Sequence, residues 1–297
     1  MSLVINNNMM AANTARNLNA HYGRLATSTQ RLSTGLRVNS AADDAAGLAI
    51  RELQRADIAA LHQGARNAND AISMIQTADG ALGVIDEKLV RLKELAEQAA
   101  TGTYDSTQRL MIESEYQAMA SEITRIANAT DFNGIHLLDG TLSSDTHDGT
   151  GMTATGKMKI HFGSGNDSAE DYYYITIGNC TASALGVGNN ADPEAAGYTV
   201  STQAAAQKAL EGINEAIVSK DKIRAHLGAM QNRLENTITN LNVQAENLQA
   251  AESRISDVDV ATEMTQFVRN QILTQSAVAM LGQANSLPQM AMQLIGG

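Results

Sequence analysis

The sequence predicts a mainly α protein in which long antiparallel helices, formed by both chain ends, pack as coiled coil or bundle, with a small β-hairpin region in the middle. Three observations carry this. Apolar residues recur every seven positions on both sides of the centre of the chain. Among 297 residues there are 2 Pro and no Trp, and the apolar fraction is mostly Ala, Leu, Ile, Val and 13 Met. Gly, Ser, Thr, Asn and Asp concentrate between Gly140 and Tyr198, which holds 10 of the 23 Gly.

The first segment places Ala11, Ala15, Leu18, Tyr22, Leu25, Thr29, Leu32 and Leu36 in steps of 4, 3, 4, 3, 4, 3, 4, a heptad seam. Arg16, Arg24, Arg31 and Arg37 all precede the first acid, Asp43. The stretch RLSTGLRVNSAADDAAGLAI at 31–50 then breaks the helix. Ser33, Thr34 and Gly35 loosen it, since glycine and local side-chain bonding favour departure from the helix. Asn39 or Ser40 is expected to cap the following helix, with Asp43 and Asp44 at its start.

A second long pattern runs through Leu61, Ala68, Ile75, Leu82, Leu89 and Ala96, with Ala65, Ile72, Ile85, Leu92 and Ala99 between. A 39-residue helix of this kind would be roughly 58 Å long. Gly102 marks a stop. A third helix follows, with Ile112, Tyr116, Met119, Ile123 and Ile126 on one face, and Thr130–Gly134 reads as a turn. Met158, Ile160 and Phe162 alternate with Lys159 and His161 as a strand, and Tyr172–Ile177 is its partner in a hairpin with a long loop. Leu227, Leu234, Leu241, Leu248 and Ile255, with Ile238 and Ala245, mirror the earlier heptads, so the chain is expected to run out, turn and return alongside itself. From Met264 to Gly297, Arg269 is the sole charged residue. Such an uncharged amphipathic helix, rich in Gln, Met and Ala, needs a partner.

Composition and motifs argue against other classes. Net charge is −11, without a dense basic cluster for nucleic acid. No stretch of 18 apolar residues offers a membrane span, and the N-terminus lacks a basic and apolar leader, so no cleaved signal peptide is expected. The six His are scattered, Cys180 is alone, and no HExxH, GxSxG, CxxC or phosphate-loop motif occurs. Gly163-Ser164-Gly165 reads as a hairpin tip and Cys180 as a small residue near a strand end. No enzyme, metal or cofactor is expected.

Several motifs in order resemble bacterial flagellin: Val4-Ile5-Asn6-Asn7-Asn8, the stretch at 31–50, NANDAISMIQTADGAL at 67–82, FNG at 132–134, ITIGN…ALGV at 175–187, LGAMQNRLENTI at 227–238, and the stretch from Ala251 to Glu263. The likeness covers about 1 to 140 and about 175 to 297. It implies a structural subunit of the extracellular flagellar filament for swimming; the alternative is another axial protein, such as a hook–filament junction protein. It implies an inner helical domain of 1–40 plus 256–297, and an outer helical rod of 41–255 that includes the β region at 140–198.

Assembly is expected through the terminal helices, at Leu18, Leu25, Leu32, Leu36, Phe267, Val268, Ile272 and Leu281. The link comprises Ser33, Thr34, Gly35, Arg37, Asn39, Asp43 and Asp44. The resemblance further implies these partners: a secretion chaperone, an assembly-control protein, the filament cap and hook–filament junction proteins. It also implies an innate immune receptor of vertebrates gripping Arg91, Glu94, Leu95 and Glu115, where Val90 and Lys93 depart from the family pattern. Ser143, Ser144, Thr153, Thr155, Ser164 and Ser168 are candidates for O-linked sugar.

Overall fold

The computed structural model describes residues 7–151, 155–188 and 197–295. Five helices dominate: α1 (Met9–Thr34), α2 (Ala45–Ala100), α3 (Ser106–Ala129), α4 (Gln203–Ser256) and α5 (Val260–Ile295). Among the described residues, six short strands lie between α3 and α4: β1 (Asp131–Phe132), β2 (Ile135–His136), β3 (His147–Asp148), β4 (Thr155–Gly156), β5 (Met158–His161) and β6 (Tyr172–Ile175). The chain divides into two compact units, 1–58 with 246–297, and 59–245. The division falls further along α2 and α4 than the breaks in the helices themselves.

The larger unit is built on the predicted heptads. Ala68, Ile75, Leu82, Ile85, Leu89, Leu92, Ala96 and Ala99 of α2 form one continuous core with Ile112, Tyr116 and Ile123 of α3 and Ile213, Leu227 and Leu234 of α4. On α3, Ala120 and Ala127 lie deepest beside Tyr116 and Ile123, while Met119 and Ile126 are half-buried at the edge. Asp105 opens α3 with a capping box shared with Gln108. The Tyr116 hydroxyl, buried, donates to the Gly197 carbonyl at 2.5 Å.

The β region seals one side of this core. Asn133 and Gly134 both take positive φ, 53° and 80°, so the predicted turn is a tight hairpin between β1 and β2. The predicted hairpin of β5 and β6 pairs Met158 with Ile175 through His161 with Tyr172. Tyr173 and Phe162 pack ring on ring at 4.6 Å, and the Arg233 guanidinium covers the Tyr173 ring at 3.6 Å. Gly64 lets α2 approach this hairpin: a β-carbon there would stand 1.9 Å from the Phe162 carbonyl oxygen. Leu137, Leu138 and Ile177 enter the same core. Cys180 is buried, and burial pushes its thiol up to about 11, as fits a small packing residue.

One feature of α4 departs from a plain apolar seam. Stepping back seven residues from Leu227 reaches Lys220, which is 2% exposed. Its ammonium donates to Asp86 of α2 at 2.5 Å and also pairs with Asp221 at 2.7 Å. Desolvation pulls its pKa down, but the bonds to Asp221 and Asp86 outweigh that and leave it above the ordinary lysine value. Arg224 pairs with Asp79. Two ion pairs ascending on α2 and descending on α4 fix an antiparallel register, the use to which a polar residue in a heptad seam is best suited.

Candidate assembly surface and the link

In the smaller unit, α1 and α5 pack side by side. They run antiparallel: the Asn8 amide donates to the Ala284 carbonyl near one end, and Arg31 faces Glu263 at 3.7 Å near the other. On α5 the packed positions are Glu263, Phe267, Asn270, Thr274, Ala277, Leu281 and Ala284, in heptad steps. On α1 they are Ala11, Thr14, Ala15, Leu18, His21, Leu25, Ser28, Arg31 and Leu32.

This corrects the expected seam. Ala11, Ala15, Leu18, Leu25 and Leu32 keep their places, but Tyr22 and Thr29 point outward and His21 and Ser28 take the inner positions. The seam advances by three residues from each leucine where four was expected, because α5 lies on that side. Leu36 lies beyond α1, which ends at Thr34.

The α1–α5 seam is only partly apolar. Ser28, Glu263, Asn270 and Thr274 are buried in it, while Val260, Met264, Val268, Ile272, Leu273, Val278 and Met280 of α5 stay exposed. Of the expected assembly residues, Leu18, Leu25, Leu32, Phe267 and Leu281 are half-buried within the chain; Val268 and Ile272 face outward, Ile272 being 57% exposed. A helix that buries polar side chains in its seam and leaves these apolar ones exposed presents an uncovered apolar surface.

The link is ordered. Gly35 adopts φ 73° and its N–H donates to the Arg31 carbonyl, a left-handed helix stop. Thr34 turns its hydroxyl back to the Gln30 carbonyl, while Ser33 is exposed. Leu36 then pairs with Asp257 as an antiparallel bridge. Arg37 N donates to the Ser256 carbonyl at 2.6 Å, Val258 N to the Gly35 carbonyl at 3.0 Å, and the Arg37 guanidinium to the Ile255 carbonyl at 2.7 Å. The break after α1 is thus matched by a second break between α4 and α5, and the two are stitched through backbone.

The capping expectation is also corrected. Asp43 Oδ2 accepts from the N–H groups of Asn39 and Ser40, closing a turn before the helix, and Asp44 Oδ1 accepts from Gly47 N at the start of α2. Asn39 and Ser40 cap nothing; the Asn39 amide instead donates to the Leu36 carbonyl. The Ser40 and Asn39 amides hold the Asp43 carboxyl below its ordinary pKa. Asp259 does the same work for α5, accepting from Ala261 N, Thr262 N and the Thr262 hydroxyl. Buried Arg51 donates to the Val38 carbonyl at 2.8 Å, tying the link to α2.

In the larger unit the expected receptor residues divide. Arg91 forks onto Glu115 of α3 at 2.7 Å and reaches Glu94 at 2.9 Å, and all three are exposed. Leu95, expected beside them as a contact, is 1% exposed and belongs to the core, since α2 is covered there on more than one side. Ser143, Thr155, Ser164 and Ser168 are exposed and Ser144 is half-buried; Thr153 lies outside the described residues. Among the described residues no cluster of His, Cys, Asp and Glu has a metal-ligand arrangement, and no helix is long and apolar enough to cross a membrane.

Paired terminal helices with an exposed apolar exterior, and a bundle with its own buried apolar core, fit a structural subunit. The family comparisons agree. Residues 5–143 match the bacterial flagellin N-terminal helical region and residues 210–295 the bacterial flagellin C-terminal helical region. The chain is 41% identical to the flagellar filament 33 kDa core protein of Treponema phagedenis, over 99% of this chain and 100% of that one. It is 42% identical to flagellin of Bacillus subtilis, over 98% and 99%. A solved structure from Vibrio parahaemolyticus, described as a flagellar hook-associated protein, superposes with TM-score 0.54 at 14% identity, over 72% of this chain and 100% of that one, a likeness of fold alone. The chain belongs to the bacterial flagellin family. It is a structural filament subunit and no enzyme, its place is the flagellum outside the cell, and the junction-protein alternative is not favoured.

Proposed function

We propose that this subunit polymerises chiefly through its terminal helices, with residues 1–40 and 256–297 making most of the axial contacts in an inner layer and 41–255 forming the layer around it. The observation that carries this is the set of exposed apolar side chains on α5, which nothing among the described residues covers. Burying it between copies contributes roughly 25 cal/mol per Å² of apolar area, against the cost of ordering the helices. A head-to-tail contact that does not close on itself gives a helical polymer. Limited proteolysis of the monomer tests it: cleavage confined to both ends supports the reading, and two resistant ends remove its physical basis.

The same exposed face suits partners that shield it before assembly, a secretion chaperone and an assembly-control protein, with the filament cap and hook–filament junction proteins contacting it at the ends of the polymer. Pull-down with a chain truncated at Ser256 is expected to lose the chaperone; retention contradicts this. For export without a cleaved signal, the mass of the secreted protein is the check. A receptor role rests on Arg91, Glu94 and Glu115, with Leu95 supporting them from the core. Arg91→Ala is expected to lower the signal in a receptor reporter assay. Intact mass of native filaments reports sugar at Ser143, Thr155, Ser164 or Ser168.

A further inference from the structure

The outward face of the β5–β6 hairpin carries two cations and an aromatic ladder. Met158, Ile160, Tyr173 and Ile175 pack on the core, so the residues alternating with them, Lys159, His161, Tyr172 and Tyr174, stand on the other face. Lys157, one residue before β5, continues the row. The Lys159 ammonium lies 3.7 Å from the centre of the Tyr172 ring, and that of Lys157 lies 4.5 Å from the centre of the Tyr174 ring. The two rings meet edge to face at 5.4 Å, His161 stacks on Tyr172 at 6.0 Å, and His147 leans on Tyr174 at 5.5 Å. All six side chains are half-buried.

Among the described residues, no ion pair includes Lys157 or Lys159. The nearby carboxylates are engaged elsewhere. Asp171 accepts from the Gly165 and Asp167 N–H groups, and Asp148 from the N–H and hydroxyl of Thr150. Asp70 lines the same cleft as Lys159 without pairing to it. A free lysine side chain must be ordered when it binds a partner. Here the tyrosine rings already hold both ammoniums, so less ordering remains to be done. Two steps along a strand put Lys157 and Lys159 about 7 Å apart, a short row of positive charge parallel to β5. At physiological salt, charges beyond about 8 Å are largely screened. The net charge of −11 therefore acts weakly on an anion lying along this row.

We propose that this face binds a linear acidic polysaccharide, whose carboxylates meet the Lys157 and Lys159 ammoniums and whose sugar hydroxyls meet the Tyr172 and Tyr174 hydroxyls. A lysine ammonium has three donors and keeps some of them free while it lies over a ring. The arrangement favours sugar over nucleic acid. Single-stranded nucleic acid gains its affinity from bases stacked on open ring faces. Here Lys159 already covers Tyr172, and Lys157 covers Tyr174. An acidic glycan needs the cations and hydroxyls and no bare ring. One site of two cations is weak. A filament repeats it along its length, so many weak contacts to one polymer sum to avidity. The inference rests on the filament reading for that multivalence alone.

The test mixes filaments of the full chain with end-labelled polygalacturonate and sediments them. The filaments are expected to retain the probe, to release it at about 0.5 M NaCl, and to leave neutral dextran in solution. Lys157→Gln with Lys159→Gln is expected to lower retention about tenfold with an unchanged monomer circular-dichroism spectrum, while Lys157→Arg with Lys159→Arg keeps it. Three results overturn the site and leave the filament reading intact: wild-type filaments that retain no probe, a glutamine variant that retains as much as the wild type, or stronger retention of single-stranded DNA than of polygalacturonate. Failure of the chain to polymerise overturns the filament reading instead. A titration of the monomer needs neither filament nor variant and decides the site in that case. Added probe is expected to shift the Lys159, Tyr172 and Tyr174 amide resonances, and resonances that stay in place overturn the proposal.

Discussion

The two seams of this molecule are built oppositely. In the larger unit, Leu82, Ile85, Leu89 and Leu92 of α2 are fully buried and meet α3, α4 and the β region. In the terminal pair, half-buried Leu18, Leu25, Leu32, Phe267 and Leu281 share the seam with His21, Ser28, Glu263, Asn270 and Thr274, while Val260, Met264, Val268, Ile272, Leu273, Val278 and Met280 of α5 stand outside. The same seven-residue periodicity therefore serves two ends. One bundle completes its core within a single chain; the other leaves an apolar surface exposed, which in the proposed reading further copies complete.

The sharpest way to break this comparison is Ile272→Asp. The site is exposed, so monomer stability is expected to change by no more than about 0.5 kcal/mol, while polymerisation, followed by sedimentation and negative-stain microscopy, is expected to be lost. Loss of monomer stability instead would make α5 an ordinary core helix. The reciprocal change, Leu89→Ala, removes a fully buried side chain and is expected to cost about 2–5 kcal/mol in denaturant unfolding of the monomer. A small effect there would mean that the larger unit, too, waits for neighbours.

Gly35→Pro comes next. Proline cannot take φ 73° and has no N–H for the Arg31 carbonyl, so the stitched link is expected to deform and filament shape to change, or assembly to fail. Normal helical filaments would reduce the link to a passive loop. The smallest effect concerns Asp43. Its folded pKa lies below the ordinary value of about 3.9. Its hydrogen bonds therefore stabilise the turn above that pH and are lost as pH falls through the lower folded value. The Asn39 and Ser40 amide resonances are expected to shift in that acid window, and Asp43→Asn to remove the transition.

Much of the larger unit was legible because apolar heptads and an Asn-Gly turn are local signals. Leu61 through Ala99 and Leu227 through Ala245 needed only spacing, and β5 and β6 only alternation. What escaped was decided by packing between elements. Which of Tyr22 or His21 lies inside depends on where α5 sits, and no property of α1 alone fixes it. Leu95 reads as a surface neighbour of Arg91 until the core shared with α3 encloses it. Lys220 left a trace, since Leu227 minus one heptad lands on it, but a charged residue in a seam is interpretable only when Asp86 is seen opposite. The second break, at Asp257–Asp259, carried a signal too, since Asp259 is a strong helix-capping residue. Its meaning came from the pairing with Leu36 and Arg37, far away in sequence.

In the proposed reading the terminal pair is completed by other copies and the larger unit is not. Hydrogen–deuterium exchange on monomer and filament side by side tests it most directly. Residues 68–99 and 206–234 are expected to be protected in both states. Residues 9–34 and 260–286 are expected to exchange freely in the monomer and become protected in the filament. Equal protection of the terminal helices in the two states would contradict the account.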